Sequence, residues 1–202
     1  MNTDIIIHPK LHHFGLTTAN VDAMVEWYRN VLGMTINHRS EASSAAQNGP
    51  PFSALAFVSN DEMDHRIVFF EMCGAVVDAE KRRHTGLQHI AFEYATLDDL
   101  LGTYVRLKRL GILPVWAADH DVGTSFYYQD PDQNMVEINV NNYGNAWTAT
   151  ERIRGSCPNV AHVDPNKMVA ARKAGASPWD LHERAVAGEF APEKPFDPRT
   201  RF

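Results

Sequence analysis

Two stretches of the sequence resemble each other and decide the predicted fold. The first is LHHFGLTTANVDAMVEWYRNVLGM at residues 11–34, and the second is LQHIAFEYATLDDLLGTYVRLKRLGI at residues 87–112. Placing His13 over His89 brings the two stretches into register. Asp22 then matches Asp98, and Tyr28 matches Tyr104. Matches that recur in the same order along a whole stretch indicate an internal repeat.

Each copy begins with an apolar strand and continues into an amphipathic helix. The strands are predicted at 11–18 and 87–94, where apolar and small residues surround one histidine. In the helices that follow, apolar residues recur at helical spacing. The predicted N-caps are Asn20 and Thr96, and the glycines predicted to end the helices are Gly33 and Gly111.

Three further strands are predicted after each helix, near 34–38, 53–59 and 66–71 in the first copy and near 113–117, 124–129 and 135–140 in the second. The sequence therefore predicts an α+β fold in which two βαβββ modules, at about 8–75 and 84–143, pack into one domain. Residues 144–202 form an extension in which prolines punctuate a polar segment with one predicted helix near 165–187. We expect it to pack on the body of the protein or on a partner subunit.

The composition excludes several classes of partner. The 202 residues carry a formal net charge of -6, whereas binding to nucleic acid or to an anionic membrane requires a basic surface. No apolar run approaches the roughly 20 residues that span a bilayer, and the first ten residues lack the features of a secretory signal. Cys73 and Cys157 form no disulfide framework, so a cytoplasmic location is expected. A symmetric homo-oligomer is the expected assembly.

Three residues predict a metal site. His13 and His89 occupy the same position in the two copies, and Glu137 lies in the apolar strand NMVEINV (134–140). An unpaired carboxylate is rarely buried in such a strand, because desolvation of its charge is costly. Two imidazoles and one carboxylate on one side of an ion form the facial triad typical of non-haem Fe(II), with positions left open for substrate and oxygen. His12 is the alternative to His13, but by strand alternation it would face the opposite way.

Four segments resemble the vicinal oxygen chelate superfamily, which includes glyoxalases and extradiol dioxygenases. They are HHFGL (12–16), YRNVLGM (28–34), QHIAFEY (88–94) and SFYYQDPDQNMVEI (125–138). The resemblance covers about 10–143 and implies paired βαβββ modules around a divalent metal. It does not imply one chemistry, because isomerases, epimerases, resistance proteins and ring-cleaving dioxygenases share the fold.

The number of protein ligands separates branches of this superfamily. Glyoxalase-type members use a fourth ligand from the last strand of the first module, at the position equivalent to Glu137. Aligning DHRIVFF (64–70) with QNMVEIN (133–139) places Val68 there, and valine does not bind metal. Glu71 lies three residues further on and, by alternation, on the opposite face. A slip of a few residues in this alignment would restore Glu71 as a ligand, so that alternative stays open.

The resemblance to type I extradiol dioxygenases also implies three catalytic residues. The segment NDEMDHRIV is similar to the one that carries an acid–base histidine, here His65, although Asp64 replaces the histidine before it. A tyrosine ten residues before the ligand glutamate implies Tyr127, which would hydrogen-bond the bound catecholate. The family's further histidine would stand at Ala118, so the nearby His120 is the candidate for that role.

The predicted function is cleavage of a catechol-type diol, such as 2,3-dihydroxybiphenyl, by O2 and Fe(II). A base must accept a catechol proton, and a histidine with a pKa near neutrality suits that task. One alternative is a glyoxalase-like isomerase or lyase with Zn2+, Ni2+ or Mn2+ and Glu71 as fourth ligand. Another is a protein that sequesters an aromatic drug without metal. Four aromatic residues near the site strands are compatible with a substrate pocket or with core packing: Trp116, Phe126, Tyr143 and Trp147.

Overall fold

The structure is a computed structural model that describes residues 6, 8–41, 51–78, 80–155, 159–194 and 196–197. The chain divides into two compact units, Met1–Asp78 and Ala79–Phe202. Cys157 lies outside the described residues. Across the described ranges, no helix combines the length and the apolar character that a bilayer crossing requires.

The first unit packs one helix on a four-stranded sheet. Its strands are β1 (Phe14–Thr18), β2 (Thr35–Glu41), β3 (Phe52–Ser59) and β4 (Ile67–Met72), in the spatial order β1-β4-β3-β2. Between β1 and β2 lies helix α1 (Val21–Leu32), which packs on β3 and β4. The side chain of Asn20 accepts a hydrogen bond from the backbone of Ala23, and Gly33 ends the helix at a φ of 68°. The predicted helix, its caps and four strands in this copy are confirmed, although the first strand begins at Phe14 and not at Leu11.

The second unit repeats this order. Strands β5 (His89–Tyr94), β6 (Trp116–Asp119), β7 (Gly123–Gln129) and β8 (Met135–Asn141) form a sheet, and helix α2 (Leu97–Arg109) packs on β5 and β8. A short 3-10 turn at Lys81–Arg83 precedes β5. β5 pairs with β8 in parallel, and β7 pairs with β8 in antiparallel orientation. β8 therefore lies between β5 and β7, so its residues contact side chains of both neighbours.

The C-terminal extension belongs to the second unit. It contains α3 (Ala146–Gly155), β9 (Ala161–His162), α4 (Pro165–Lys173) and α5 (Pro178–Val186). The prediction of one helix near 165–187 is wrong, because Gly175 adopts a φ of 101° and the chain leaves the helical path there. Ser177 then caps a new helix with Pro178 at its first turn. β9 adds a fifth strand beside β6, and α5 packs on β6 and β9.

Candidate metal and catalytic site

Glu137 lies in the middle of β8, opposite Ala91 of β5 and Tyr127 of β7. Its neighbours Val136 and Ile138 point to the other face of the sheet and are buried, because side chains alternate along a strand. Glu137 itself is only 8% exposed. The residue is therefore a buried carboxylate on the sheet face opposite the apolar side chains.

The two oxygens of Glu137 have different partners. The Ser125 hydroxyl donates a hydrogen bond to Oε1 over 2.6 Å, and the Asn139 side-chain amide donates to the same atom over 3.2 Å. Oε2 lies 2.9 Å from Nε2 of His89. The other ring nitrogen of His89, Nδ1, contacts the side-chain oxygen of Gln88. One carboxylate oxygen is thus anchored, and the other is presented together with an imidazole nitrogen.

This pair fits a divalent metal. When two ligand atoms each lie about 2.1 Å from an ion and the ligand–metal–ligand angle is a right angle, the two atoms are about 3.0 Å apart. The observed separation of Nε2 and Oε2 is 2.9 Å. A proton on Nδ1 facing Gln88 leaves the lone pair of Nε2 for the metal, which is the arrangement that metal-ligating histidines use. His89 and Glu137 are therefore suited to be two ligands of one ion.

Tyr127 and His120 lie beside this pair. The Tyr127 hydroxyl is 3.0 Å from Nε2 of His120, and the Tyr127 ring meets the His89 ring edge-on at 5.8 Å. Burial, with a further contribution from Glu137, raises the pKa of Tyr127, so its hydroxyl keeps its proton near neutral pH. Burial lowers the pKa of His120, which favours the neutral imidazole. His120 does not match the family spacing for the further histidine. It nevertheless contacts the hydroxyl of Tyr127, the tyrosine that the family spacing predicted.

A cavity of about 320 Å³ in the second unit opens onto these groups. Its polar lining residues include Glu93, His120, Ser125, Tyr127, Glu137 and Asn139, and Val122, Val140 and Ala149 add apolar surface. The aromatic residues considered for a substrate pocket have separate positions. Trp116 stacks on Tyr127 with ring centroids 4.6 Å apart, whereas Phe126 packs on Tyr104 in the core and Trp147 is 76% exposed.

Three histidines cluster in the first unit. Ring nitrogens of His12, His13 and His65 all lie within 4.8 Å of one another. The expectation that His12 faces away from His13 is wrong, since their Nδ1 atoms are 2.8 Å apart. The physical reason is that β1 begins at Phe14, so strand alternation does not apply to the two residues before it.

Asp64 holds His65. Its Oδ2 atom lies 2.6 Å from Nδ1 of His65, and its Oδ1 atom lies 3.3 Å from Nε2 of His12. The hydrogen bond with His65 is the main cause that lowers the pKa of Asp64, so the carboxylate is ionised near neutral pH. The His65 ring also stacks on Phe57 at 4.6 Å. Asp64 therefore orients His65 through Nδ1 of that ring.

The strand registers confirm the alignment of Val68 with Glu137. Val68 pairs with Gly15 in the first unit, and Glu137 pairs with Ala91 in the second. Gly15 follows His13 by two positions, just as Ala91 follows His89, so the two pairing partners are equivalent in the repeat. The first module therefore carries valine where the second carries its glutamate.

Glu71 has a different task. The Ser53 hydroxyl donates to its Oε1 atom over 2.9 Å, and the backbone N–H of Val21 donates to its Oε2 atom over 2.8 Å. A carboxylate at this place satisfies a free N–H of the first turn of α1 and interacts favourably with the helix dipole. Both oxygens of Glu71 are thus engaged in the structure of its own unit.

Sequence reasoning missed Ser125, Asn139 and Asp64 as supporting residues. Ser125 stands two residues before Tyr127 and Asn139 two residues after Glu137. Since side chains two apart share a strand face, the signal was present once Tyr127 and Glu137 were placed opposite each other.

Comparison with known proteins identifies the family. The model of the Glyoxalase/Bleomycin resistance protein/Dioxygenase superfamily matches residues 10–138, which is more than half of the chain and includes both repeats. The chain belongs to this superfamily. A glyoxylase/bleomycin resistance protein/dioxygenase domain from Frankia sp. EAN1pec shows the same superfamily fold, with a TM-score of 0.57 and 20% identity over 67% of this chain and 99% of that chain.

Two curated proteins are similar to this one over nearly the whole chain. Biphenyl-2,3-diol 1,2-dioxygenase 3 of Rhodococcus globerulus is 32% identical over 185 residues, covering 90% of this chain and 91% of that protein. Biphenyl-2,3-diol 1,2-dioxygenase 2 of the same organism is 33% identical over 193 residues, covering 93% of this chain and 94% of that protein. Both alignments are longer than the two modules together, so both include part of the C-terminal extension.

Proposed function

We propose that this protein is an Fe(II)-dependent extradiol dioxygenase that cleaves a small catechol-type diol with O2. The observation that carries the proposal is the group on one face of the second sheet. There the Oε2 atom of the buried Glu137 faces Nε2 of His89 at 2.9 Å, and the Tyr127 hydroxyl is hydrogen-bonded to His120. The similarity to two enzymes named for biphenyl-2,3-diol supports 2,3-dihydroxybiphenyl as the first substrate to try.

The proposed metal ligands are His89 and Glu137 of the second repeat and His13 of the first. His13 stands at the repeat position that matches His89, and its ring lies beside His65 with centroids 4.2 Å apart. Iron, when bound to three protein ligands, supplies open positions for the diol and O2 and the electron transfer that O2 chemistry requires. Mn, Zn or Ni in the same ligands remains the alternative.

His65 is the proposed acid–base residue. A catechol hydroxyl must lose a proton when the diol binds, and a neutral imidazole accepts it. Because Asp64 holds Nδ1 at 2.6 Å, the exchange is assigned to Nε2 of His65. The ionised Asp64 stabilises the imidazolium that forms, as a carboxylate beside a catalytic histidine does.

Tyr127 is the proposed hydrogen-bond donor to a substrate oxygen. Its raised pKa keeps the hydroxyl protonated, and His120 orients that hydroxyl from 3.0 Å. Trp116, stacked on the ring, restricts its rotation. The proposed partners are the aromatic diol and O2; a homo-oligomeric assembly and a cytoplasmic location stay predictions.

The test is oxygen uptake by protein loaded anaerobically with Fe(II) and given 2,3-dihydroxybiphenyl, with the visible spectrum recorded. We expect uptake matched to a yellow ring-opened product. H89A and E137A should lose bound iron and activity together, whereas H65A should keep iron and lose about 100-fold in turnover. H8A, which removes an exposed histidine outside both clusters, is the control. Iron-loaded protein that consumes no oxygen with a panel of catechols would contradict the proposal.

A further inference from the structure

The loop that carries His120 is anchored by a fully buried carboxylate. Asp119 ends β6, directly before His120, and its Oδ1 atom accepts the backbone N–H of Asp121 over 2.8 Å. Its Oδ2 atom accepts hydrogen bonds from Thr124 over 3.1 Å and from Asn142 over 3.0 Å. An ionised group buried this far needs such donors, because its desolvation is otherwise costly. Asp119 therefore ties the loop to both β7 and the end of β8.

A second carboxylate anchors the loop on the other side of His120. Asp121 has a φ of 69°, in the left-handed region that aspartate enters more often than most other non-glycine residues. Arg152 of α3 donates to its Oδ2 atom over 2.6 Å, and the Tyr143 hydroxyl donates to Oδ1 over 3.1 Å. His120 thus lies between two anchored residues.

His182 of α5 faces both anchors. Its Nδ1 atom lies 2.9 Å from Oδ2 of Asp119, and its Nε2 atom lies 3.8 Å from Oδ1 of Asp121. The residue is buried, and the Trp179 ring packs against it at 4.9 Å. Residues far apart in the sequence are thereby joined, so the C-terminal extension holds the loop beside the proposed site.

We propose that His182 is a positioning residue: through Asp119 it holds the β6–β7 loop so that His120 stays against the Tyr127 hydroxyl. This inference rests on the proposed function, because it assigns the consequence of that contact to catechol turnover. His120 itself donates its backbone N–H to the carbonyl of Gly123 over 2.8 Å, and its carbonyl accepts the N–H of Val122 over 2.9 Å. Those bonds fix the loop internally, whereas Asp119 and His182 fix the loop against the rest of the unit.

The first experiment compares three variants of the full-length, iron-loaded enzyme. H182L removes the donor to Asp119 and should lower kcat about 10- to 100-fold with KM for the diol little changed, because His120 no longer orients the Tyr127 hydroxyl while the binding surface remains. H182N keeps a donor near the place of Nδ1 and should restore most of the loss. L181A is the matched control, because it removes a buried apolar contact of the same helix without touching Asp119. L181A should lower the free energy of unfolding. At a temperature where this variant is folded, its kcat should equal that of the wild type.

A double-mutant cycle separates positioning from general damage. In the H120A background, H182L should change kcat by less than about twofold, since the group through which His182 acts is gone. Additive losses would overturn the proposal. Equal losses of kcat in H182L and L181A at matched folded fractions would overturn it as well.

A measurement without turnover distinguishes the two proposals from each other. Histidine-labelled, metal-free protein should show a displaced His120 side-chain NMR signal in H182L but not in L181A. If H182L does not fold, H182Q, whose amide reaches past the Nδ1 position, replaces it in both experiments. An unmoved His120 signal would contradict the positioning role. Wild-type protein that fails to cleave catechols, with the His120 signal still displaced in the variant, would contradict only the proposed function.

Discussion

At the scale of single residues, Glu137 shows how a charge is tolerated in an apolar strand. Ser125 and Asn139 satisfy Oε1, so the cost of burying that oxygen is offset by donors from the same sheet face. Oε2 faces Nε2 of His89 at 2.9 Å. A metal ion at Oε2 would compensate the remaining charge, which gives a reason for a glutamate here in place of an amide.

Removal of the Ser125 hydroxyl should weaken metal binding. S125A leaves Oε1 without its shortest hydrogen bond and frees the carboxylate to rotate, so we expect a loss of about 10- to 100-fold in metal affinity. Competition with a chromophoric chelator measures it. S53A is the control, because it removes the same kind of serine–glutamate hydrogen bond at Glu71 in the first unit. Equal affinities of S125A and S53A would show that Ser125 does not support a metal ligand.

At the scale of elements, the two repeats use the same strand differently. β8 carries Glu137 at the position where β4 carries Val68, and the carboxylate of β4 instead lies at Glu71. There it caps α1, which starts only three residues after β1 ends. The tight connection between strand and helix leaves the Val21 N–H close to the neighbouring strand, so a carboxylate on β4 can accept it.

Substitution of Glu71 separates the three-ligand and four-ligand hypotheses. E71A should lower the free energy of unfolding by about 1 kcal/mol, because an N–H of the first helical turn loses its acceptor. E71Q keeps an acceptor without the charge and should lose less. Urea denaturation gives the stability, and metal analysis should show unchanged iron content in both variants. Loss of iron in E71A would instead identify Glu71 as the fourth ligand of a glyoxalase-type site.

The contact between α5 and β6 should make stability depend on pH. The hydrogen bond with Asp119 raises the pKa of His182 against the opposing effect of burial, and Asp121 and Glu183 add to the increase. A folded-state pKa above the unfolded value means that this contribution is complete below about pH 6.5 and is lost as pH rises through the folded-state pKa. The difference in unfolding free energy between wild type and H182N should therefore shrink toward alkaline pH. A difference that stays constant with pH would show that His182 is neutral in the fold.

At the scale of the whole molecule, the two copies of the module share their strand order and differ in the side chains that they present. In each unit a parallel pair of strands lies beside antiparallel strands in the same order, and the helix of the module packs on the sheet. The first unit presents three histidines and the second a histidine–glutamate pair. The proposed ligands include His89 and Glu137 of the second unit, so bound metal should stabilise that unit.

Metal removal should lower thermal stability. A ligand at 100 times its dissociation constant stabilises the folded state by about 2.7 kcal/mol, so chelator-treated protein should melt below iron-loaded protein under anaerobic conditions. E137Q should melt at the same temperature with and without iron, because the anionic ligand is absent. E71A should still show the increase on iron loading. An increase that persists in E137Q would place the metal elsewhere.

Much of this protein was determined by the sequence alone, because the signals are local or repeated. The match between the two repeats predicted both modules, and alternation and helical spacing predicted their elements. The family spacing of ten residues before the glutamate selected Tyr127, and the structure places the two residues opposite each other on antiparallel strands. The same spacing separated Tyr127 from Tyr128, which by strand alternation faces the other side of the sheet.

Only the tertiary structure decided the remaining contacts. His12 and His13 precede the strand, so no periodicity sets their directions. His120 reaches Tyr127 from a loop whose path depends on Asp121 in a left-handed conformation. The partners of Glu71 and His182, which are Val21 and Asp119, lie far from them along the chain. Such pairs cannot be predicted from the spacing of residues in the sequence, because the packing of whole helices and strands brings them together.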